Sequence, residues 1–336
     1  MRAFEFLREG GWDSTVTQGT VIGPSTVKQA LSVVQQFTQD FNRYLQDRGL
    51  GPVEMGRPTG SSAYHDVDAE DKVYGDIDLQ MIGPEEEGQS IGQFNSHWNK
   101  LAADFVQQHK PAYVHPAESK PGHPIIAIGN DQYVQVDFMW HPERLSHWGA
   151  ARVTPERGVK GSLMGNMFSV LGELMDMSIQ HAGVQLKVVD GQRVPFSKQK
   201  NTETVTVSTD PNKFILDIFK YELKQLGVER PVISPLLQKN SGIDVDNVKI
   251  ATMVAGVKGL AASFEANNMF GQGNLRAFSS ADDFLTKFLA RYQEKAEIDI
   301  NSKKRDKAQT PDAVARAEAD RQKVLSGLEM VKGLFR

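Results

Sequence analysis

Three aspartates are the residues of this sequence whose type and spacing point most clearly to chemistry. Asp76 and Asp78 are separated by one apolar residue, and Asp137 lies in the later run 133–140. Because side chains alternate between the two faces of a β-strand, we expect Asp76 and Asp78 to share one face, about 7 Å apart. Two such carboxylates repel each other unless a cation lies between them, and Mg²⁺ binds carboxylate oxygens together with substrate phosphates. The pattern therefore predicts a divalent-metal site.

Two predicted strands hold these carboxylates. In the second strand, apolar residues alternate with more polar ones, which places Asp137 on the more polar face. The apolar run 125–128 precedes this strand, and the segment 129–131 between them contains glycine and asparagine. Two β-rich runs about such a short loop predict a hairpin. We expect the hairpin to bring Asp137 beside the strand that carries the other two aspartates.

A turn of small residues precedes the first of these strands. Gly60 is followed there by two serines, Ser61 and Ser62. Glycine lets backbone amides approach a triphosphate closely, and the serine hydroxyls offer further donors to the same phosphates. A polar loop without a binding role is the alternative interpretation of this run.

The Gly-Ser turn, the D-I-D-L strand and the V-x-V-D-F strand together resemble the nucleotidyltransferase superfamily related to DNA polymerase β. The resemblance covers residues 55–140, and the segment between Ser61 and Asp76 is longer than the family's usual helix and turn. It implies an α+β fold with a nucleotidyltransferase-type mixed sheet flanked by helices, followed by a mostly helical second domain. It also implies transfer of a nucleoside monophosphate from an NTP, with ATP favoured as the donor, to a hydroxyl acceptor with release of pyrophosphate.

The resemblance gives the three aspartates a catalytic role. Asp76 and Asp78 would bind Mg²⁺, with Mn²⁺ as an alternative, and Asp137 would complete the site of the metal that activates the acceptor. Asp137 would also help to take up the proton of the acceptor hydroxyl. Positioning and electrostatic stabilisation would supply most of the rate acceleration.

The nucleotide would be bound by the small-residue turn and by a basic segment after the hairpin. Gly60, Ser61 and Ser62 would hold the β- and γ-phosphates. The basic residues between His141 and Lys160 would hold the triphosphate or a nucleic-acid acceptor, with Lys160 as a nucleotide-binding candidate. An ordinary exposed loop is an equally weighted alternative for this segment.

The overall composition is that of a globular protein. The 336 residues are 40% hydrophobic and 24% charged, which is enough for one large or two ordinary domains. A formal charge of −4 gives no general attraction to nucleic acids or acidic membranes. The absence of cysteine excludes disulfides and thiolate chemistry and fits a reducing compartment. With no secretory signal and no long apolar stretch, we expect a cytoplasmic protein without a membrane partner.

The pattern along the chain predicts four regions. They are an N-terminal leader (1–23), a nucleotidyltransferase catalytic domain (24–200), a helical domain (201–300) and a charged C-terminal helix (301–336). Apolar residues at helical spacing predict a helix that is capped by Ser25, and others at residues 91–109 and 162–181. The first of these helices is expected to pack against the sheet that carries the carboxylates.

Several alternatives remain open from the sequence. The acceptor is an RNA such as tRNA, a nucleotide, a protein hydroxyl or a small molecule. In a rival interpretation, the D-x-D pair binds Mn²⁺ and a nucleotide sugar in a glycosyltransferase. In another, the fold is a non-catalytic interaction or assembly module, with the leader and the C-terminal helix as docking elements.

Overall fold

The structure is a computed structural model in which the chain forms two compact units, divided between residues 152 and 153. It describes residues 20, 22–66, 68, 70, 73–74, 76–115, 119–149, 161–180, 183–190, 192–194, 203–305 and 311–336. The leader predicted at 1–23 lies almost wholly outside these residues. Within the described parts of the chain, no helix is both long and apolar enough to cross a membrane.

A mixed sheet forms the centre of the first unit. Its strands are β1 (Glu54–Pro58), β2 (Ile77–Gly83), β3 (Ile125–Gly129) and β4 (Gln132–Pro142). The spatial order is β1-β2-β4-β3, with β2 and β4 as parallel neighbours in the middle and antiparallel strands at both edges. The predicted α+β class and the hairpin of β3 and β4 are confirmed.

Two long helices follow the predicted pattern, with one correction at the start of the first. They are α1 (Pro24–Gln46) and α2 (Ile91–His109). The cap of α1 is Gly23 rather than Ser25, and its first residue is a proline. Proline is favoured at the first helical position because the N–H that it lacks would have no partner there.

Both helices pack against the same face of the sheet. From α1, Phe37 lies edge-on to Phe138 of β4, with 5.3 Å between ring centroids. From α2, Trp98 stacks on Trp140 of the same strand at 5.5 Å. Alternate apolar residues of β2 and β4 are fully or almost fully buried in this core, namely Ile77, Leu79, Met81, Val134, Val136, Phe138 and Trp140. Alternation along the strands therefore leaves the polar residues, including the aspartates, on the other face.

A short segment after β4 folds back over part of that polar face. It contains a 3-10 turn and the four-residue helix α3 (Ser146–Gly149). The side-chain amide of Gln80 in β2 donates to the Ser146 carbonyl oxygen at 2.5 Å. Gln80 is consequently 2% exposed although it is polar, so this end of the polar face is covered.

The second unit combines helices with a small antiparallel sheet. The helices are α4 (Gly161–Leu174), α5 (Phe214–Leu226), α6 (Pro235–Lys239), α7 (Ile250–Ala266), α8 (Ala281–Arg305) and α9 (Pro311–Phe335). The strands are β5 (Ser178–Gln180), β6 (Gly183–Val189), β7 (Gln192–Val194) and β8 (Glu203–Ser208), and β6 pairs with the other three. The sheet thus lies on both sides of the boundary predicted at residue 200.

The helix predicted at residues 162–181 is shorter than its apolar pattern indicates. It ends at Leu174, and the chain then turns at Asp176, which has a left-handed backbone with φ 47°. Aspartate tolerates this conformation better than most residues, which lets the chain leave the helix and enter a strand. The prediction of helix is therefore wrong for residues 175 to 180, and His181 lies outside the described residues.

Candidate metal centre

The register of the two parallel strands places two aspartates side by side. Asp78 of β2 is paired with Asp137 of β4, and on either side of them apolar residues are paired with apolar residues. Asp76 precedes the first residue of β2, two positions before Asp78, and shares its face of the strand. The sequence pattern predicted this juxtaposition, and the structure confirms it.

The three carboxylates lie close enough to share a cation. One oxygen from each of Asp76, Asp78 and Asp137 lies within 4.8 Å of the other two, and all three residues are half-buried. Carboxylate oxygens alone form a hard ligand set that suits Mg²⁺ or Mn²⁺. The geometry therefore fits the metal that the sequence predicts.

Electrostatics make the cluster unfavourable without a cation. Burial and, to a smaller extent, the negative charge of Asp137 raise the pKa of Asp78, His123 opposes the increase, and the net result is a pKa of about 6. A carboxylate with a raised pKa is one whose ionised form is poorly stabilised by its surroundings. A bound divalent cation would supply the missing positive charge.

Two side chains donate to the same oxygen of Asp137. His123 Nδ1 lies 2.7 Å and Gln135 Nε2 lies 2.8 Å from Asp137 Oδ1. Gln135 lies two residues before Asp137, on the face that strand alternation predicts for both. His123 was not identified from the sequence. The register of the hairpin could have identified it from the sequence. Ile125 is paired with Gln135, and two residues further along this antiparallel pairing position 123 lies opposite position 137.

The small-residue turn lies directly against the aspartates. Thr59 donates its backbone N–H to the Asp78 carbonyl oxygen at 2.8 Å. Gly60 has a positive φ of 56°, and a Cβ at this position would collide with the Asp78 carboxylate. Glycine is thus needed here for its backbone conformation and for the space that the carboxylate occupies.

The segment after Gly60 forms one short 3-10 helix, Gly60–Tyr64. Ser62 is fully buried, and its hydroxyl donates to the Thr59 carbonyl oxygen at 3.0 Å. This contact gives Ser62 a role in holding the turn. Ser61 belongs to the same 3-10 helix, and its side chain lies outside the structural description.

Arg144, one of the basic residues after the hairpin, is held away from the carboxylates. Arg144 forms a two-point ion pair with Glu85, through Nε at 2.7 Å and Nη2 at 2.6 Å. The register pair Gly83–Pro142 lies five residues beyond the paired aspartates, roughly 17 Å along the strands, and Arg144 follows it. His141 is buried, with Nδ1 2.9 Å from the Met139 carbonyl oxygen.

Three further basic candidates, Arg152, Arg157 and Lys160, fall outside the described residues. The structure therefore places Asp76, Asp78, Asp137 and Gly60 together and separates Arg144 from them.

Compared with models of known protein families and with curated protein sequences, the chain matches none.

Proposed function

We propose that this protein is a Mg²⁺-dependent nucleotidyltransferase that moves a nucleoside monophosphate from an NTP to a hydroxyl acceptor and releases pyrophosphate. The proposal extends the resemblance to nucleotidyltransferases related to DNA polymerase β. The observation that carries it is the pairing of Asp78 with Asp137 on adjacent parallel strands, with Asp76 completing a three-carboxylate cluster.

The donor set supports Mg²⁺ in preference to a soft metal. Asp76, Asp78 and Asp137 would hold the ion, with Mn²⁺ as the alternative, because each contributes a carboxylate oxygen to one small volume. When bound, the ion would neutralise phosphate charge and lower the pKa of an attacking hydroxyl. The protein holds three negatively charged groups close together, and binding of the ion and substrate would offset the free energy of their repulsion.

The turn beside the cluster has a defined part in the proposal. Because Gly60 has no side chain, the Asp78 carboxylate lies directly against the backbone of the turn, and a polyphosphate bound through a cation at that carboxylate would lie beside the turn. The hydrogen bond from Thr59 to the backbone of Asp78 fixes the turn to β2. In this arrangement the turn would orient the NTP, and the carboxylates would align its α-phosphate for attack.

Thermal unfolding with and without Mg²⁺ tests the proposal. The wild-type protein would be measured with each of the four NTPs and with a nucleotide sugar, beside an Asp76→Ala/Asp78→Ala double variant. Glu54→Ala, which removes an exposed carboxylate at the start of β1, is the control. A ligand at 100 times its Kd adds about 2.7 kcal/mol to the free energy of unfolding, which is a readily measured shift.

A Mg²⁺-dependent shift with an NTP that disappears in the double variant and persists in the control is the expected result. A shift with the nucleotide sugar and none with any NTP would replace the proposal with the glycosyltransferase alternative. No shift with any nucleotide in a folded protein would favour the non-catalytic module. The acceptor would be sought among RNA, nucleotides, protein hydroxyls and small molecules once the donor is known.

A further inference from the structure

We infer that His123 and Gln135 are positioning residues of the metal centre, which fix the Asp137 carboxylate so that one oxygen is held by the protein and the other meets the cation. This inference rests on the proposed function, because it assigns the residues that tune the same site. Neither residue belongs to the three-carboxylate cluster itself.

The first observation is that both donors converge on a single oxygen. His123 Nδ1 and Gln135 Nε2 lie 2.7 and 2.8 Å from Asp137 Oδ1. An ionised carboxylate can only accept hydrogen bonds, so the histidine Nδ1 carries the proton in this contact. Two donors on Oδ1 fix the rotation of the carboxylate, which leaves Oδ2 as the oxygen for the cation.

The second observation is that the backbone holds His123 directly opposite Asp137. Phe138 N–H donates to the Gly122 carbonyl oxygen at 2.8 Å, and Val136 N–H donates to that of Pro124 at 3.1 Å. These two bonds lie on either side of Asp137, so the chain ahead of β3 continues alongside β4. His123 is therefore a cross-strand neighbour of Asp137, and such neighbours on one face are close enough to interact.

The loop that presents His123 is itself tightly specified. Lys120 and His123 exchange backbone hydrogen bonds of 3.3 and 2.9 Å across a tight turn. Within this turn Gly122 has a φ of 81°, and a Cβ there would lie 2.8 Å from the Asn99 side chain in α2. The turn thus requires glycine at this position, and its backbone fixes the position of residue 123 relative to β4.

Gln135 donates to Asp137 from a buried position on the same strand. It is 2% exposed and is located on β4 two residues before the aspartate, so its amide has little freedom to turn away. Groups that orient metal-binding residues in this way contribute 10- to 100-fold to metal affinity when they are tested by mutation. We expect the same range for His123 and Gln135.

Binding of Mn²⁺ alone, followed by electron paramagnetic resonance and competed with Mg²⁺, tests this inference. His123→Ala and Gln135→Met each remove one donor, and His123→Asn keeps an N–H close to the position of Nδ1. Gln80→Met is the matched control, because it also removes a buried glutamine amide from the polar face, but one that donates to Ser146. Urea unfolding of each variant measures any purely structural loss.

The expected result is a loss of at least 10-fold in Mn²⁺ affinity for His123→Ala and for Gln135→Met. His123→Asn should restore most of that affinity, and Gln80→Met should retain wild-type affinity even if it unfolds at lower urea. Wild-type affinity in both donor-removing variants would overturn this inference and leave the proposed function standing. Failure of the wild-type protein to bind Mn²⁺ would overturn both.

Discussion

Replacement of Asp78 by asparagine should stabilise the metal-free protein at neutral and alkaline pH. The carboxylate has a raised pKa of about 6 in the folded protein, because it is partly buried and lies beside Asp137. Its ionised form is therefore stabilised less by the folded protein than by water. Asparagine has nearly the same shape without the charge, so Asp78→Asn removes this unfavourable contribution.

The sign and size follow from linkage. Because the folded pKa lies above the ordinary value of 3.8, the folded state binds the proton more tightly, and stability from this group is present below pH 4. It is lost as the pH rises through about 6. The difference between the two pKa values corresponds to about 3 kcal/mol, and partial exposure reduces the expected gain of Asp78→Asn to about 2 kcal/mol at pH 8.

Tryptophan fluorescence during urea unfolding is a suitable assay. All four tryptophans of the sequence lie in its first 148 residues, and Trp98 and Trp140 stack in the core of the first unit. The signal therefore reports the unit that contains the site. Measurements from pH 4.5 to pH 8 with EDTA would compare wild type, Asp78→Asn and the exposed control Glu54→Gln.

The gain from Asp78→Asn should be greatest at pH 8 and should shrink toward pH 4.5, while Glu54→Gln stays near zero throughout. With saturating Mg²⁺, the wild type should become more stable than Asp78→Asn, because the ion stabilises the wild type and binds the variant poorly. A variant that is equally or less stable than the wild type at pH 8 in EDTA would refute the reasoning about charge repulsion.

Three further substitutions test other parts of the structure. Gly60→Ala should lose at least 1 kcal/mol more than Gly49→Ala in urea unfolding, because both have positive φ but only Gly60 lies against a carboxylate; equal losses would contradict this. Arg144→Ala should lower the free energy of unfolding by less than about 1 kcal/mol and keep the Mg²⁺–NTP thermal shift, because the ion pair of Arg144 is half-exposed. Loss of the thermal shift would show that Arg144 contributes to nucleotide binding. Arg193→Met should cost about 3–5 kcal/mol by far-ultraviolet circular dichroism, because it leaves the buried Glu222 carboxylate, 2.7 Å away, without its partner; a loss under 1 kcal/mol would show that the pair is dispensable.

The local parts of the site could be predicted from sequence. The period of two in the strands places Asp76 and Asp78 on one face, and the hairpin signal fixes the strand of Asp137. Burial of the apolar face then leaves little choice of register, because a slip by one residue would turn the core side chains to solvent. These constraints act within a few residues, so the sequence displays them directly.

The contacts that were missed or misplaced are set by distant parts of the chain. The partner of Arg144 is Glu85, 59 residues earlier, and no local pattern connects the two. His123 reaches Asp137 only because the turn at Gly122 aligns with β4. The cap of α1 was misplaced by a local rule, since both Ser25 and the Gly23–Pro24 pair are acceptable starts and tertiary context selects between them.

The most direct test of the metal-centre account is a crystal structure of the protein with Mn²⁺ and a non-hydrolysable NTP analogue, analysed by anomalous scattering. We predict an anomalous peak among Asp76, Asp78 and Asp137, with carboxylate oxygens coordinated to the ion and the triphosphate beside Gly60. Mn²⁺ and nucleotide bound elsewhere, with no peak at the three carboxylates, would contradict the account.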